Sequence, residues 1–135
     1  MSQQFFNHQW SILCQSAQDN ASRLASGASA TASELIHRES GRFCRLDPPS
    51  SKEALNSAYT RRMALSARLT AITRADAVAN AHPAAAENVF DEVRKFCDAD
   101  LASTSEDFLE MQVANLKLTS QICSICEAKF SSHPL

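Results

Sequence analysis

The packing seam of this chain is built largely from Ala, Ser and Thr, and that restricts its folds more than any other property. Apolar residues recur at helical spacing through almost the whole sequence, yet the large ones run out in two places. Ala21 to Ser33 holds one large apolar residue, Leu24, and Ala75 to Ala86 holds one, Val78. A stripe that thin buries little apolar area, and burial stabilises by only about 25 cal/mol per Å². Such a helix needs a neighbour that approaches closely, a partner chain, or a surface to lie on. Those demands favour binding or coating over catalysis.

The 135 residues fit one domain. With two glycines and four prolines, the chain lacks the turn residues of an all-β fold. A net charge of -2 does not suggest nucleic-acid binding driven by bulk charge. Charge is nevertheless uneven. Residues 51–82 carry Lys52, Arg61, Arg62, Arg68 and Arg74 against Glu53 and Asp76. Residues 83–135 carry nine acidic and four basic groups. Two helices of opposite sign lying side by side, or a basic strip facing an anionic surface, both satisfy that pattern.

The start MSQQFFNHQW has no basic region followed by an apolar run, so no export signal is expected. No stretch nears the ~20 apolar residues of a membrane span. Five cysteines, an odd number, read as free thiols in a reducing compartment, and a cytoplasmic location is expected.

The spacing predicts an all-α fold, an antiparallel bundle of three to four long amphipathic helices in one domain over 1–135. The helices are expected at about 3–38, 52–80, 83–101 and 105–130. In the first, Phe6, Trp10, Leu13, Ala17, Ala21, Leu24, Ala28, Thr31 and Leu35 share a face. Gly41 and Pro48-Pro49 mark the clearest break, with Phe43, Cys44 and Leu46 tucked under the bundle end. Ser50 or Ser51 then caps the second helix, whose stripe is Leu55, Tyr59, Arg62 or Met63, Leu65, Leu69 and Ile72. Pro83 suits a helix first turn, so a bend is expected near Ala81-His82. Ala86, Val89, Phe90, Val93, Phe96, Cys97 and Leu101 face inward on the third. Ser103 with Glu106, or Thr104 with Asp107, starts the last helix. There Phe108, Met111, Asn115, Leu118, Ile122, Ile125 and Lys129 keep heptad spacing, and Leu109, Val113, Leu116 and Cys123 are expected to widen that face.

Signals for chemistry are few. Cys123-Ser-Ile-Cys126 is a C-x-x-C with His133 seven residues on, but a zinc site needs further ligands and no second pair exists. It lies near a helix C-terminus, where the dipole disfavours a thiolate. Cys14, Cys44 and Cys97 are scattered singly, so buried structural thiols are the expected state. His8, His37, His82 and His133 sit near segment ends, and no H-x-x-x-H pair occurs. There is no G-x-S-x-G elbow and no glycine-rich phosphate loop. No metal, cofactor or catalytic residue is expected.

Phe5, Phe6, Trp10, Ile12 and Leu13 concentrate apolar surface just before the small-residue stretch. As core they plug one end of a bundle. As an exposed patch they anchor an apolar surface or a partner helix, and they are the candidate binding residues.

The stretch Glu87 to Phe130 resembles the phasin family, small bacterial proteins that coat polyhydroxyalkanoate storage granules. Phe90 to Leu101 resembles that family's amphipathic helix, and Ser103 to Asp107 its short break. Leu109-Glu110-Met111-Gln112 stands where the family has a Leu-Gln pair opening a long helix. The N-terminal helix, with Phe, Trp and Gln before an Ala/Ser-rich continuation, is similar in style. The resemblance implies a cytoplasmic, non-enzymatic coat protein that self-associates into a homo-oligomer on an apolar granule surface. The other expectation is a helical protein-interaction module, such as an adaptor, secretion chaperone or effector, gripping a partner helix.

Overall fold

The computed structural model describes residues 2–131. It contains α1 (Gln3–Ala25), α2 (Ala30–Cys44), α3 (Lys52–Ala81), α4 (Ala86–Cys97) and α5 (Ser105–Ser131), with a 3-10 turn at Pro83–Ala85. The fold is all-α, but the expected three to four long helices are corrected to five among the described residues. The extra helix arises because the N-terminal segment breaks at Ser26–Ser29.

The cause of that break is a contact from far along the chain. Ser29 Oγ accepts from Ala32 N at 3.2 Å, capping α2, and Ser29 itself donates twice to Asp76 on α3. Its backbone N lies 3.0 Å and its Oγ 2.6 Å from the carboxylate oxygens. A carboxylate at a helix N-terminus also complements the helix dipole. Gly27 is not the agent, since it has no positive φ and open space where a Cβ would stand. Gly27→Ala is therefore expected to raise stability by about 0.4–1 kcal/mol through the unfolded chain. The break should persist in that variant. A melting curve with circular dichroism checks both, because fusion of α1 with α2 would show as added helix.

After the break the buried face is reset. α1 buries Phe6, Trp10, Leu13, Ala17 and Ala21, while α2 buries Ala32, Leu35, Ile36, Glu39, Ser40 and Phe43. α2 continues through Gly41, expected to stop it, as far as Cys44. Phe43 is fully buried, Cys44 half-buried and Leu46 exposed. Pro48 and Pro49 then exclude helix, and Ser51 caps α3 by accepting from Ala54 N at 3.1 Å.

α3 is the axis of the molecule and lies against each of the other four helices. Leu55, Leu65, Leu69 and Ile72 point inward as the spacing predicts, whereas Tyr59 and Met63 are exposed. Ala58, Ala64, Ala71, Ala75 and Ala79 are buried as well. Small side chains on a central helix let neighbours approach from several sides, so the thin stripe is answered within the chain. One contiguous core runs from Trp10 in α1 to Cys126 in α5.

Pro83 opens the 3-10 turn, and α4 buries Val89, Phe90, Val93 and Cys97. α4 stops at Cys97 rather than near Leu101. Two arginines take carbonyls at and just past that end: Arg42 Nη1 donates to Cys97 O at 3.1 Å, and Arg68 Nη2 to Ala99 O at 2.7 Å. Cations at a helix C-terminus are favoured by its dipole. Thr104 caps α5, its Oγ1 accepting from Asp107 N at 3.1 Å.

Candidate functional site

Burial divides the five N-terminal candidates. Phe6, Trp10 and Leu13 are 4%, 8% and 7% exposed and belong to the inner face of α1. The Trp10 ring packs on Phe43 of α2 at a centroid distance of 5.0 Å. Phe5 and Ile12 face outward at 41% and 51%. Of the five candidates these two alone offer free apolar surface, too little for an extended patch.

The larger outward apolar surface is on α5. Phe108, Met111, Asn115, Leu118, Ile122 and Ile125 turn toward α3 and α4, as heptad spacing predicts. Leu109, Val113 and Leu116 do not widen that face. At about 100° per residue they fall on the opposite side of the helix. They are 64%, 62% and 72% exposed, and Cys123 is exposed beside them. Thus α5 carries two apolar faces, one spent on the core and one open. A helix apolar on both sides is ordinarily covered on both. Alongside it, a shallow apolar groove of about 370 Å³ runs between α3 and α5, floored by Ala71, Ala75, Val78, Leu118 and Ile122.

A second feature is a cleft of about 880 Å³ at the junction of α2, α3 and the α4–α5 connection. At its base lies a buried ion cluster that the sequence reading did not single out. Glu39 accepts from Arg68 Nη1 at 2.8 Å, from Arg42 Nη1 at 3.2 Å and from Arg38 Nε at 3.2 Å. Glu39 is 1% exposed and Arg68 2%. Arg68 Nε is buried without a partner. The signal was there: Arg68 stands inside the Leu65, Leu69, Ile72 stripe, where a solvated cation has no place. The cleft lining includes both Arg42, Arg61 and Lys95 and the acidic Asp100, Asp107 and Glu110. The cluster spends its charge on closing the end of α4, which makes it a structural tie between α2, α3 and α4.

The thiols of Cys14 and Cys44 meet across α1 and α2, with Cys44 Sγ donating to Cys14 O at 3.7 Å. Burial, then the Cys44 thiol, pushes the Cys14 pKa up to about 12. Burial, then the Glu39 carboxylate, pushes Cys97 up to about 11. Cys126 is buried and Cys123 exposed, and His133 lies outside the described residues. Among the described residues no three His, Cys, Asp or Glu side chains are placed to hold a metal. No helix among them is long and apolar enough to cross a membrane.

Thiolate is the reactive form, and at pH 8 Cys14 and Cys97 would be thiolate in about one molecule in a thousand or fewer. Iodoacetamide on the native protein is therefore expected to label Cys123 first and these two last, as read by mass spectrometry of digests. Equal rates would refute the burial of Cys97 and the shielding of the half-buried Cys14. The linked effect on stability has a definite sign. A thiol whose folded pKa is raised favours the fold while it is neutral. Its contribution is complete below the ordinary thiol range near pH 8.5 and is lost as pH climbs toward 11 to 12.

No family model, curated protein or solved structure matches this chain.

Proposed function

We propose that this chain works by binding, without catalysis, as a helical interaction module that receives a partner helix on the outer stripe of α5. The observation that carries this reading is the exposure of Leu109, Val113 and Leu116 on one side of a long helix whose other side is already packed. A helix laid on such a stripe meets it at i, i+4 and i+7. The remaining core, from Trp10 to Cys126, closes without outside help, which fits a preformed module. Its five free thiols suit a reducing, cytoplasmic setting, and self-association into a homo-oligomer is one use of the same stripe. A phasin-like coat protein would instead lay this stripe, with Phe5 and Ile12, on an apolar granule surface.

A photo-crosslinking amino acid at position 116, tested in cells against the same group at exposed position 87 on α4, decides the matter. Discrete protein adducts are expected from 116 and none from 87. Equal adducts from both sites, or none from 116, would refute the module. Depletion of the purified protein onto polyester particles, abolished by Leu116→Lys, would transfer the assignment to the coat reading.

A further inference from the structure

The charges that border the open stripe of α5 specify what covers it. Leu109, Val113, Leu116, Ser120 and Cys123 fall within about 80° of arc on an ideal helix. On one edge of this arc stand Glu106, Glu110 and Lys117. On the other stand Gln112 and Thr119, which are uncharged. Among the described residues Glu106, Glu110 and Lys117 form no ion pair within their own chain. All three are exposed.

We infer that the occupant is a second copy of this chain, its α5 lying antiparallel to the first about a twofold axis between Gln112 and Val113. This rests on the reading of the α5 stripe as a docking surface and names its partner. Three consequences of the geometry converge on that arrangement. A twofold axis perpendicular to two helices brings like edge to like edge, so the charged edge of one copy meets the charged edge of the other. With the axis between residues 112 and 113, Leu109 of each copy stands opposite Leu116 of its partner, and the two Val113 side chains pack beside the axis. Lys117 then lies level with position 108 of the partner, two residues from Glu106 on one side and from Glu110 on the other. At 1.5 Å per residue that is an axial offset of about 3 Å to each carboxylate, within reach of a lysine side chain. Twofold symmetry makes every such pair occur twice.

A parallel dimer fails on the same residues. It sets the charged edge of one copy against Gln112 and Thr119 of the other, leaving both carboxylates and Lys117 without partners. An antiparallel register centred on Leu116 opposes Leu109 to Cys123 and places Lys117 level with Asn115, again without a carboxylate. Flanking charges choose orientation and register in paired helices even where they add little to affinity. Here they choose the antiparallel pair centred between 112 and 113.

The test uses the full chain with exposed Cys123 replaced by Ser. Leu109→Cys and Leu116→Cys proteins are oxidised separately and as an equimolar mixture, and covalent dimer is read on a denaturing gel. The mixture is expected to give at least about ten times the dimer of either variant alone, since only 109 and 116 face each other. Self-crosslinking of each variant alone, as a parallel pair requires, overturns the inference. Sedimentation across a concentration series supplies the second readout. Lys117→Glu is expected to weaken the dimer by about tenfold, on the scale of a few exposed ion pairs turned repulsive. Adding Glu106→Lys and Glu110→Lys to it should restore wild-type association. A dimer indifferent to Lys117→Glu, or a protein monomeric at every concentration, overturns the inference. If that monomer still gives adducts of another mass from position 116 in cells, self-docking alone has failed and the interaction module stands. No adducts and no dimer together would remove both.

Discussion

Glu39→Ala is expected to destabilise the protein by about 3–5 kcal/mol, the usual cost of removing one partner from a buried ion pair. That is a large share of the roughly 5–15 kcal/mol that holds an ordinary domain. The loss comes chiefly from what remains. Arg68 is as buried as Glu39, its Nε already lacks a partner, and truncation would strip its Nη1 as well. Arg42, which also reaches the Cys97 carbonyl, would lose the carboxylate that orients it. A urea titration should show a lower midpoint with little change of slope. Glu39→Leu combined with Arg68→Met is expected to recover most of the loss, because apolar replacement of both partners removes the stranded charge. A single variant costing less than about 1 kcal/mol would mean that water enters the cluster. Faster alkylation of Cys97 in Glu39→Ala would locate the damage at the end of α4.

Trp10→Ala is expected to cost about 3–5 kcal/mol, in the range measured for deleting a large aromatic from a core. Trp10 packs on Phe43, joining α1 to α2 within the core. Ile12→Ala, on the outward side of the same helix, should fall within about 0.5 kcal/mol of wild type. Equilibrium unfolding of the two variants side by side separates a core role from a surface role for the N-terminal aromatics. A stable Trp10→Ala protein that has lost only surface binding would restore Trp10 as an anchor. Matched large losses in both variants would contradict the orientation of α1.

Helix content was legible in the sequence, and so were most inward faces, because apolar spacing is a local property. Phe6, Trp10, Leu13, Leu65, Leu69, Ile72, Val89, Phe90 and Val93 are buried where that spacing puts them. An α3 start at Ser50 or Ser51, of which Ser51 is the cap, and a bend beside Pro83 were legible for the same reason, since caps and proline act on their immediate neighbours. What escaped depended on residues far apart in the chain. The break before α2 hangs on Asp76, and the end of α4 on Arg42 and Arg68. For Leu109, Val113 and Leu116 the spacing predicts the inner face, because their mutual spacing is helical too. Spacing shows that they share a side, and only the position of α3 and α4 shows which side it is.

The Asp76–Ser29 clamp also orders events during synthesis. The ribosome delivers the N-terminal end first, so Gln3–Cys44 emerges ahead of Asp76, which lies 47 residues beyond Ser29. Until then Ser29 can cap α2 with its own hydroxyl, but its amide has no carboxylate to hold it and the corner between α1 and α2 stays loosely set. The arrival of α3 supplies the carboxylate and much of the core in one step. The corner is thus locked by the same segment that gives the nascent helical pair something to pack against, which guards against its setting early in a wrong angle.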